Sequence, residues 1–230
     1  MKVFKFGGAS VKDAAGVKNL VLILEKVGFK ETLIVVSAMG KTTNALEAII
    51  ETYFKNKRQT PVGMLPLKQF HLDIVKDLFR EESGEVEAVI HQLFEELIGF
   101  FKTNKSPDYS FVYDQVVSYG ELLSTIIIHH FIQKKKMDSF WLDARNCIKT
   151  DDYYRSANLN WELTQNEINQ QIGKHSLIIT QGFIGSNSGK TFVNNVFTNV
   201  KRFFNRNKPV KTQIGPPSQG FRPQSTYNED

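Results

Sequence analysis

The sequence contains one cysteine, Cys147, among its 230 residues. A lone cysteine forms no disulfide within the chain and has no thiolate partner for a metal site, which favours a reducing compartment. No apolar run approaches the roughly 18 residues of a membrane span. The N-terminus leads directly into a strand-like segment, without the apolar stretch of a signal peptide. We therefore expect a cytoplasmic protein with no membrane partner.

Positive charge is in small excess, and the excess lies at one end of the chain. The net charge is +5; residues 192–230 hold six basic and two acidic residues, which leaves +1 for the first 191. A near-neutral body of this kind is not typical of a domain that binds a phosphate backbone, so we expect no nucleic-acid partner. Residues 192–230 also hold four of the seven prolines, as a linker or tail does.

The rest of the chain has an ordinary globular composition, with 41% hydrophobic and 23% charged residues. Alternation in Lys2–Phe6 predicts a strand, which a Gly-Gly turn joins to a helix that Ser10 can cap. Thr32–Ser37 is a continuous apolar run, typical of a strand covered on both faces, and a helical pattern follows over Asn44–Tyr53. Two successive strand, glycine turn and helix units indicate a parallel α/β sheet.

The middle of the chain is mostly helical. Apolar residues at helical spacing predict helices over Leu67–Phe79, Gly84–Phe101 and Asp114–Lys136. Further strands are expected at Ser139–Leu142 and Ser176–Thr180, with a helix over Leu163–Ile172 between them. The predicted fold is an open, mostly parallel sheet with helices on both faces and a helical insertion in the middle.

Two glycine-containing turns follow neighbouring predicted strands, at Gly7-Gly8 and at Ala38-Met39-Gly40. Ligands bind at the carboxyl ends of strands in open α/β sheets, where free backbone N–H groups attract phosphate. Gly-Gly can equally make a tight turn and nothing more. Lys5 could reach a phosphate from the strand end, or it could lie on a solvated face. A Walker A loop is excluded, because Gly185 and Gly189 are separated by three residues where the pattern needs four.

Glu121 follows Gly120 at the edge of an apolar helical run. An unpaired carboxylate in such a place is costly, and a cationic group on a ligand would relieve the cost. A helix N-terminus or a nearby lysine would relieve it equally well. The sequence alone leaves these readings open.

Five motifs in order resemble those of aspartate kinases, members of the amino acid kinase superfamily. Lys5–Val11 (KFGGASV) resembles the family's opening KFGGTSV, with Ala9 in place of a threonine, and residues 36–44 (VSAMGKTTN) resemble its second loop. Ser118–Ser124 (SYGELLS) is similar to the S-x-G-E-x-x-S helix, Asp143-Ala144-Arg145 to the D-x-R strand end, and Thr180–Ser186 (TQGFIGS) to a strand and loop of the same sequence. The resemblance covers residues 1–191.

The resemblance implies an αβα sandwich that phosphorylates the β-carboxylate of L-aspartate with ATP and Mg²⁺, the first step of lysine, threonine and methionine synthesis. In that interpretation Lys5 is catalytic and offsets transition-state charge. Gly7, Gly8, Ser10 and Ser37 join Lys5 in binding the nucleotide, with no metal ligand from the protein. Thr43, Glu121 and Phe183 match positions around the aspartate, where Glu121 faces its ammonium group.

Residues 1–191 are accordingly expected to be the N-terminal part of a kinase catalytic domain. The family continues into a GRxGSD segment that residues 192–230 do not match. We expect those residues to be a tail foreign to the family, in which order fades after about Phe204. The alternative functions are a non-catalytic fragment and another kinase of the superfamily. Assembly into a homo-oligomer stays open.

Overall fold

The computed structural model describes residues 1–173 and 175–187, together with the backbone of 192–194. The described strands are β1 (Lys2–Phe6), β2 (Thr32–Val36), β3 (Phe140–Leu142), β4 (Leu177–Gln181), β5 (Ile184–Ser186) and β6 (Phe192–Asn194). The first four form one parallel sheet in the order β1-β2-β4-β3, and β5 pairs with β6 in an antiparallel ribbon. The predicted parallel sheet is confirmed.

The described helices are α1 (Ala14–Val27), α2 (Thr42–Lys55), α3 (Thr60–Phe79), α4 (Gly84–Thr103), α5 (Tyr109–Lys134), α6 (Ala144–Cys147) and α7 (Trp161–Ile172). The helices expected over residues 44–172 are all present, and their ends differ by at most two residues except at the starts of α3 and α5. The predicted start of α3 is wrong by seven residues, because the helix begins at Thr60 and not at Leu67. Thr60 and Met64 are buried, so the buried face of the helix continues from Leu67 towards the N-terminus. Helices α3 and α4 pack on each other and form the expected insertion between β2 and β3.

Both central strands of the sheet are buried at every position. A strand buried on both faces needs a helical layer above and below it, which is why β2 reads as an unbroken apolar run. Helix α5 supplies part of this cover: it packs against α2 and β4 through a largely apolar surface, with Leu122, Leu123 and Ile127 almost fully buried.

One local expectation is wrong. Ser10 does not cap α1, because Gly8–Val11 form a 3-10 turn and the helix begins three residues later, where the Asp13 side chain accepts a hydrogen bond from the Gly16 N–H. Residues 192–194, at the start of the expected tail, form strand β6 and pair with β5. Pairing with β5 satisfies the backbone of both segments. The remainder of the expected tail, 195–230, lies outside the described residues.

Candidate active site

A cavity of about 480 Å³ opens where β1, β2 and β4 end at their carboxyl termini. Its volume is in the range of small-molecule sites, and strand ends are where open α/β sheets bind ligands. It is lined by Gly8, Ser37, Ala38, Gly40, Thr43, Tyr113, Val117, Glu121, Arg155 and Phe183. The structure thus brings five of the predicted site residues together around one space: Gly8, Ser37, Thr43, Glu121 and Phe183.

The two glycine loops lie against each other at the floor of this cavity. The Gly40 N–H donates to the Gly8 carbonyl over 3.0 Å, and a Cβ added to Gly8 would lie 2.5 Å from the Ala38 carbonyl oxygen. Gly8 is therefore required by the close approach of the second loop. A Cβ added to Gly7 meets nothing within 4 Å, so the space beside Gly7 is open.

The structure separates Ser37 and Ser10, the other two residues that were expected to bind phosphate. Ser37, whose N–H donates to the Phe6 carbonyl, lines the cavity. Ser10 does not line the cavity; its N–H closes the 3-10 turn onto the Gly7 carbonyl over 2.9 Å. Its position in the structure is that of a turn-stabilising residue beside the Gly-Gly loop.

Substitutions at Gly7 and Gly8 should therefore change different properties, namely nucleotide binding at Gly7 and stability at Gly8. We expect Gly8→Ala to lower the free energy of unfolding by about 1–3 kcal/mol, because the methyl group collides with backbone that cannot yield. Gly7→Ala should leave the melting temperature within about 1 °C of the wild type and weaken nucleotide binding, because the methyl group fills the space beside the loop. Thermal denaturation with and without ADP measures both. A Gly7→Ala protein that binds ADP like the wild type would exclude a phosphate at Gly7.

Glu121 is buried and accepts two backbone hydrogen bonds. One carboxylate oxygen, Oε2, receives the N–H groups of Gly182 and Phe183, each over 2.8 Å. Burial raises the Glu121 pKa to about 7, against these two bonds and the positive charge of Lys5, which lower it. The carboxylate therefore anchors the loop after β4. Neither reading of this residue from the sequence anticipated the loop amides as partners.

Glu121 reaches these amides because α5 passes close to the second loop. A Cβ on Gly120 would lie 3.0 Å from the Ala38 side chain and 3.1 Å from that of Thr42. The absence of a side chain at position 120 lets the helix approach, and the next residue projects into the cavity.

Lys5 lies beside the same group of residues. Its Nζ is 5.0 Å from the centre of the Phe183 ring, and its charge lowers the pKa of Glu121. The side chain is exposed at the end of β1, as the alternation of the strand predicted. Its contact with Phe183 and attraction to Glu121 hold the ammonium group near the strand ends.

Buried hydrogen bonds hold the neighbouring strand ends rigid. Gln181, the last residue of β4, donates to the Thr125 hydroxyl over 2.7 Å and accepts the Ala144 N–H over 2.8 Å. Asp143 caps α6 through the Arg145 N–H and pairs with the Arg145 side chain. The D-x-R segment therefore serves the local structure beside the site and does not line the cavity.

Reasoning from the sequence missed three lining residues, Tyr113, Val117 and Arg155. Tyr113 and Val117 lie eight and four residues before Glu121, so the helical repeat could have placed all three on one stripe of α5. Arg155 lies in a loop with no periodic signal, and nothing in its sequence neighbourhood predicts its position.

The described residues contain no cluster of three or more histidine, cysteine, aspartate or glutamate side chains that could hold a metal ion. The part of the chain that the structure covers also has no helix long and apolar enough to cross a membrane.

An open α/β sheet with a glycine-lined cavity at its strand ends, a nearby lysine and a buried carboxylate can bind a small molecule that carries phosphate and ammonium groups. The sequence pattern of the amino acid kinase family matches residues 1–198, and the chain belongs to that family.

Within this family the chain is similar to aspartokinases. It is 28% identical over 198 residues to the lysine-sensitive aspartokinase 3 of Escherichia coli, an alignment that covers 82% of this chain and 42% of that protein. The structure of E. coli aspartokinase III with lysine and aspartate superposes with a TM-score of 0.76 at 24% identity, covering 84% of this chain and 43% of that one. The structure of the same enzyme with aspartate and ADP gives 0.73 at 23%, covering 85% and 43%. The chain thus spans less than half the length of these relatives.

Proposed function

We propose that this protein phosphorylates the β-carboxylate of L-aspartate with ATP, giving 4-phospho-aspartate and ADP, the first step of lysine, threonine and methionine synthesis. The observation that carries the proposal is the placement of Glu121 and the Gly8 loop around one cavity, with the Lys5 ammonium group beside the lining residue Phe183 and close enough to Glu121 to lower its pKa. An amino acid needs an anion for its ammonium group, and a transferred phosphoryl group needs a cation and backbone N–H groups. Similarity to aspartokinases supports aspartate as the acceptor.

The reaction requires the protein to position the two substrates and to offset negative charge on the transferred phosphoryl group. A carboxylate is ionised at neutral pH, so its oxygen forms the new P–O bond with no general base. The bond between the γ-phosphorus and the bridging oxygen breaks, and the electron pair leaves with ADP. Lys5 offsets the charge that spreads over the phosphoryl oxygens, while Glu121 and Thr43 hold the amino acid in line.

The residues present fit a nucleotide that brings its own Mg²⁺ on its phosphates. Open space beside Gly7 and the nearby ammonium group of Lys5 suit phosphate oxygens. Since the described residues offer no acidic cluster, Mg²⁺ would be held mainly by the phosphates, where it supplies a further positive charge. Gly7, Gly8 and Ser37 then orient the phosphates against Lys5.

Trapping of the acyl phosphate with hydroxylamine tests the proposal. The 230-residue chain, ATP, Mg²⁺ and hydroxylamine should give aspartyl hydroxamate only when L-aspartate is present. Hydroxamate from a different carboxylic acid, with none from aspartate, would indicate another acceptor. A chain that binds ATP and aspartate without forming hydroxamate would be a binding protein and not a kinase.

A further inference from the structure

Arg155 reaches the cavity from a loop that is closed by its own hydrogen bonds. Asp151 organises this loop: its carboxylate accepts the Tyr153 N–H, the Asn158 N–H and the Asn158 side-chain amide over 3.2, 3.0 and 2.8 Å. Thr150 and Leu159 form a bridge at its base. We call residues 151–158 the Arg155 loop. Its ends are held together, so the position of its tip is defined.

The backbone at the tip is fixed in an unusual conformation. Arg155 has a φ of 64°, in the left-handed region that costs a residue with a side chain about 1–2 kcal/mol. Its N–H donates over 2.8 Å to Oδ2 of Asp114, a carboxylate with no exposed surface. A strained residue whose N–H donates to a buried carboxyl group indicates that the loop is built to keep this position.

The side chain of Arg155 lies over an aromatic ring of α5. The guanidinium carbon is 4.5 Å from the centre of the Tyr113 ring, and the Tyr113 hydroxyl donates to Glu47 over 2.7 Å. Burial, followed by this bond to Glu47, raises the Tyr113 pKa to about 12, so the phenol stays a neutral donor at physiological pH. The bond to Glu47 fixes the ring, and the ring face attracts the guanidinium.

Arg155 and Tyr113 line the same cavity as Glu121, and Tyr113 lies about two turns of α5 from it. Tyr113, Val117 and Glu121 share one stripe of α5, and residues eight apart in a helix are about 12 Å apart along its axis. Lys5 is close enough to Glu121 for its charge to lower the Glu121 pKa. A small amino acid with a hydrogen bond of about 2.8 Å at each end can bridge the space between Glu121 and a guanidinium turned inward from Tyr113.

We propose that Arg155 binds the α-carboxylate of the amino acid whose ammonium group lies at Glu121 and whose β-carboxylate faces Lys5, an inference that rests on the proposed function. A planar guanidinium matches a carboxylate through two parallel hydrogen bonds, which a lysine cannot reproduce. Arg155 is then the residue that distinguishes an α-amino dicarboxylate from an amino acid with one carboxylate. Tyr113 and Glu47 are positioning residues that act through it.

Binding to the full chain, measured by titration calorimetry with Mg²⁺ and ADP present, tests the proposal. The ligands are L-aspartate and β-alanine, which keeps the ammonium group and the reacting carboxylate but lacks the α-carboxylate. Arg155→Ala should weaken aspartate binding tenfold or more and leave β-alanine and ADP binding unchanged. Arg155→Lys should give an intermediate loss. Tyr153→Ala is the matched control, because Tyr153 belongs to the same loop, is 69% exposed and does not line the cavity.

The outcomes separate this inference from the proposed function. If the wild-type chain binds aspartate and Arg155→Ala binds it with an affinity within twofold of the wild type, the role of Arg155 is overturned. The proposed function then still stands. Equal losses for aspartate and β-alanine also overturn the role of Arg155, since they indicate a distorted site. A wild-type chain that does not bind aspartate overturns the proposed function and this inference together.

A double-mutant comparison tests the positioning role. Tyr113→Leu removes the ring on which Arg155 lies and should weaken aspartate binding by several-fold in the wild-type chain. In the Arg155→Ala background the same change should have little further effect, because the residue through which Tyr113 is proposed to act is gone. Additive losses would show that Tyr113 does not act through Arg155.

Discussion

Replacement of Lys5 with alanine is expected to slow hydroxamate formation by a hundredfold or more while the protein stays folded. The loss of one preorganised charge at a transferred phosphoryl group corresponds to about 3 kcal/mol in the activation barrier. Folding should be little affected, because the side chain is exposed and its described aromatic contact is the Phe183 ring face. The rate at saturating ATP and aspartate, and the melting temperature, are the two measurements.

Lys18→Ala is the matched control, since Lys18 is an exposed lysine on α1 that does not line the cavity. A second readout needs no turnover: Lys5 lowers the pKa of Glu121, so Lys5→Ala should raise that pKa above its value of about 7. A carbon-detected NMR titration of Glu121 measures it. A rate within threefold of the wild type would show that Lys5 does not take part in the mechanism. An unchanged Glu121 pKa would show that the Lys5 ammonium group does not lie near Glu121.

The parts of the site that follow the strand periodicity could be predicted from the sequence. The apolar run Thr32–Val36 and the alternating Lys2–Phe6 give two neighbouring parallel strands, and parallel strands present their following loops at one edge. That geometry is enough to bring Gly8 and Ser37 together. Glu121 could be selected as well, since a carboxylate in an apolar helix needs a specific partner.

The partners of these residues could not be predicted, because they depend on how separate elements pack. Glu121 accepts amide hydrogens 61 and 62 residues further along the chain. Arg155 lines the site only because Asp151 closes the loop that carries it and Asp114 holds its backbone. Ser10 was expected to cap α1 because serine is a good N-cap residue, but the 3-10 turn shifts the start of the helix to Asp13, which caps it. Local patterns set the strands and helices, whereas tertiary packing sets these contacts.

Glu121→Gln is expected to weaken aspartate binding ten- to hundredfold, because a charge-assisted hydrogen bond to the ammonium group contributes about 1.5–3 kcal/mol. ADP binding should be unchanged. The glutamine oxygen can still accept the Gly182 and Phe183 N–H groups, so the loop after β4 should keep its place. Glu51→Gln is the control: it alters an exposed glutamate of α2 that does not line the cavity, and it should leave aspartate binding unchanged. Equal losses of aspartate and ADP binding would show that Glu121 acts on the fold alone.

The raised pKa of Glu121 also predicts that the stability of the wild type depends on pH in a way that Glu121→Gln should lack. Burial raises the pKa from the ordinary 4.5 to about 7, so between these values the folded protein holds a proton that the unfolded chain has lost. The stability that this proton gives is present below pH 4.5 and is lost as the pH rises through 7, about 3 kcal/mol in all. Wild-type stability should therefore fall over this range relative to that of Glu121→Gln, as urea denaturation at several pH values would measure.

Aspartate binding should show the opposite pH dependence, because the ammonium group requires the ionised carboxylate. A group with a pKa near 7 is mostly charged at pH 7.5 and only a few per cent charged at pH 5.5, so wild-type affinity should fall about twentyfold between these values. Aspartate binding near pH 6.5 should release a proton, which calorimetry in buffers of different ionisation enthalpy detects. In Glu121→Gln both effects should vanish. An aspartate affinity that is independent of pH in the wild type would mean that the ammonium group is bound elsewhere, whatever role Glu121 has in holding the loop after β4.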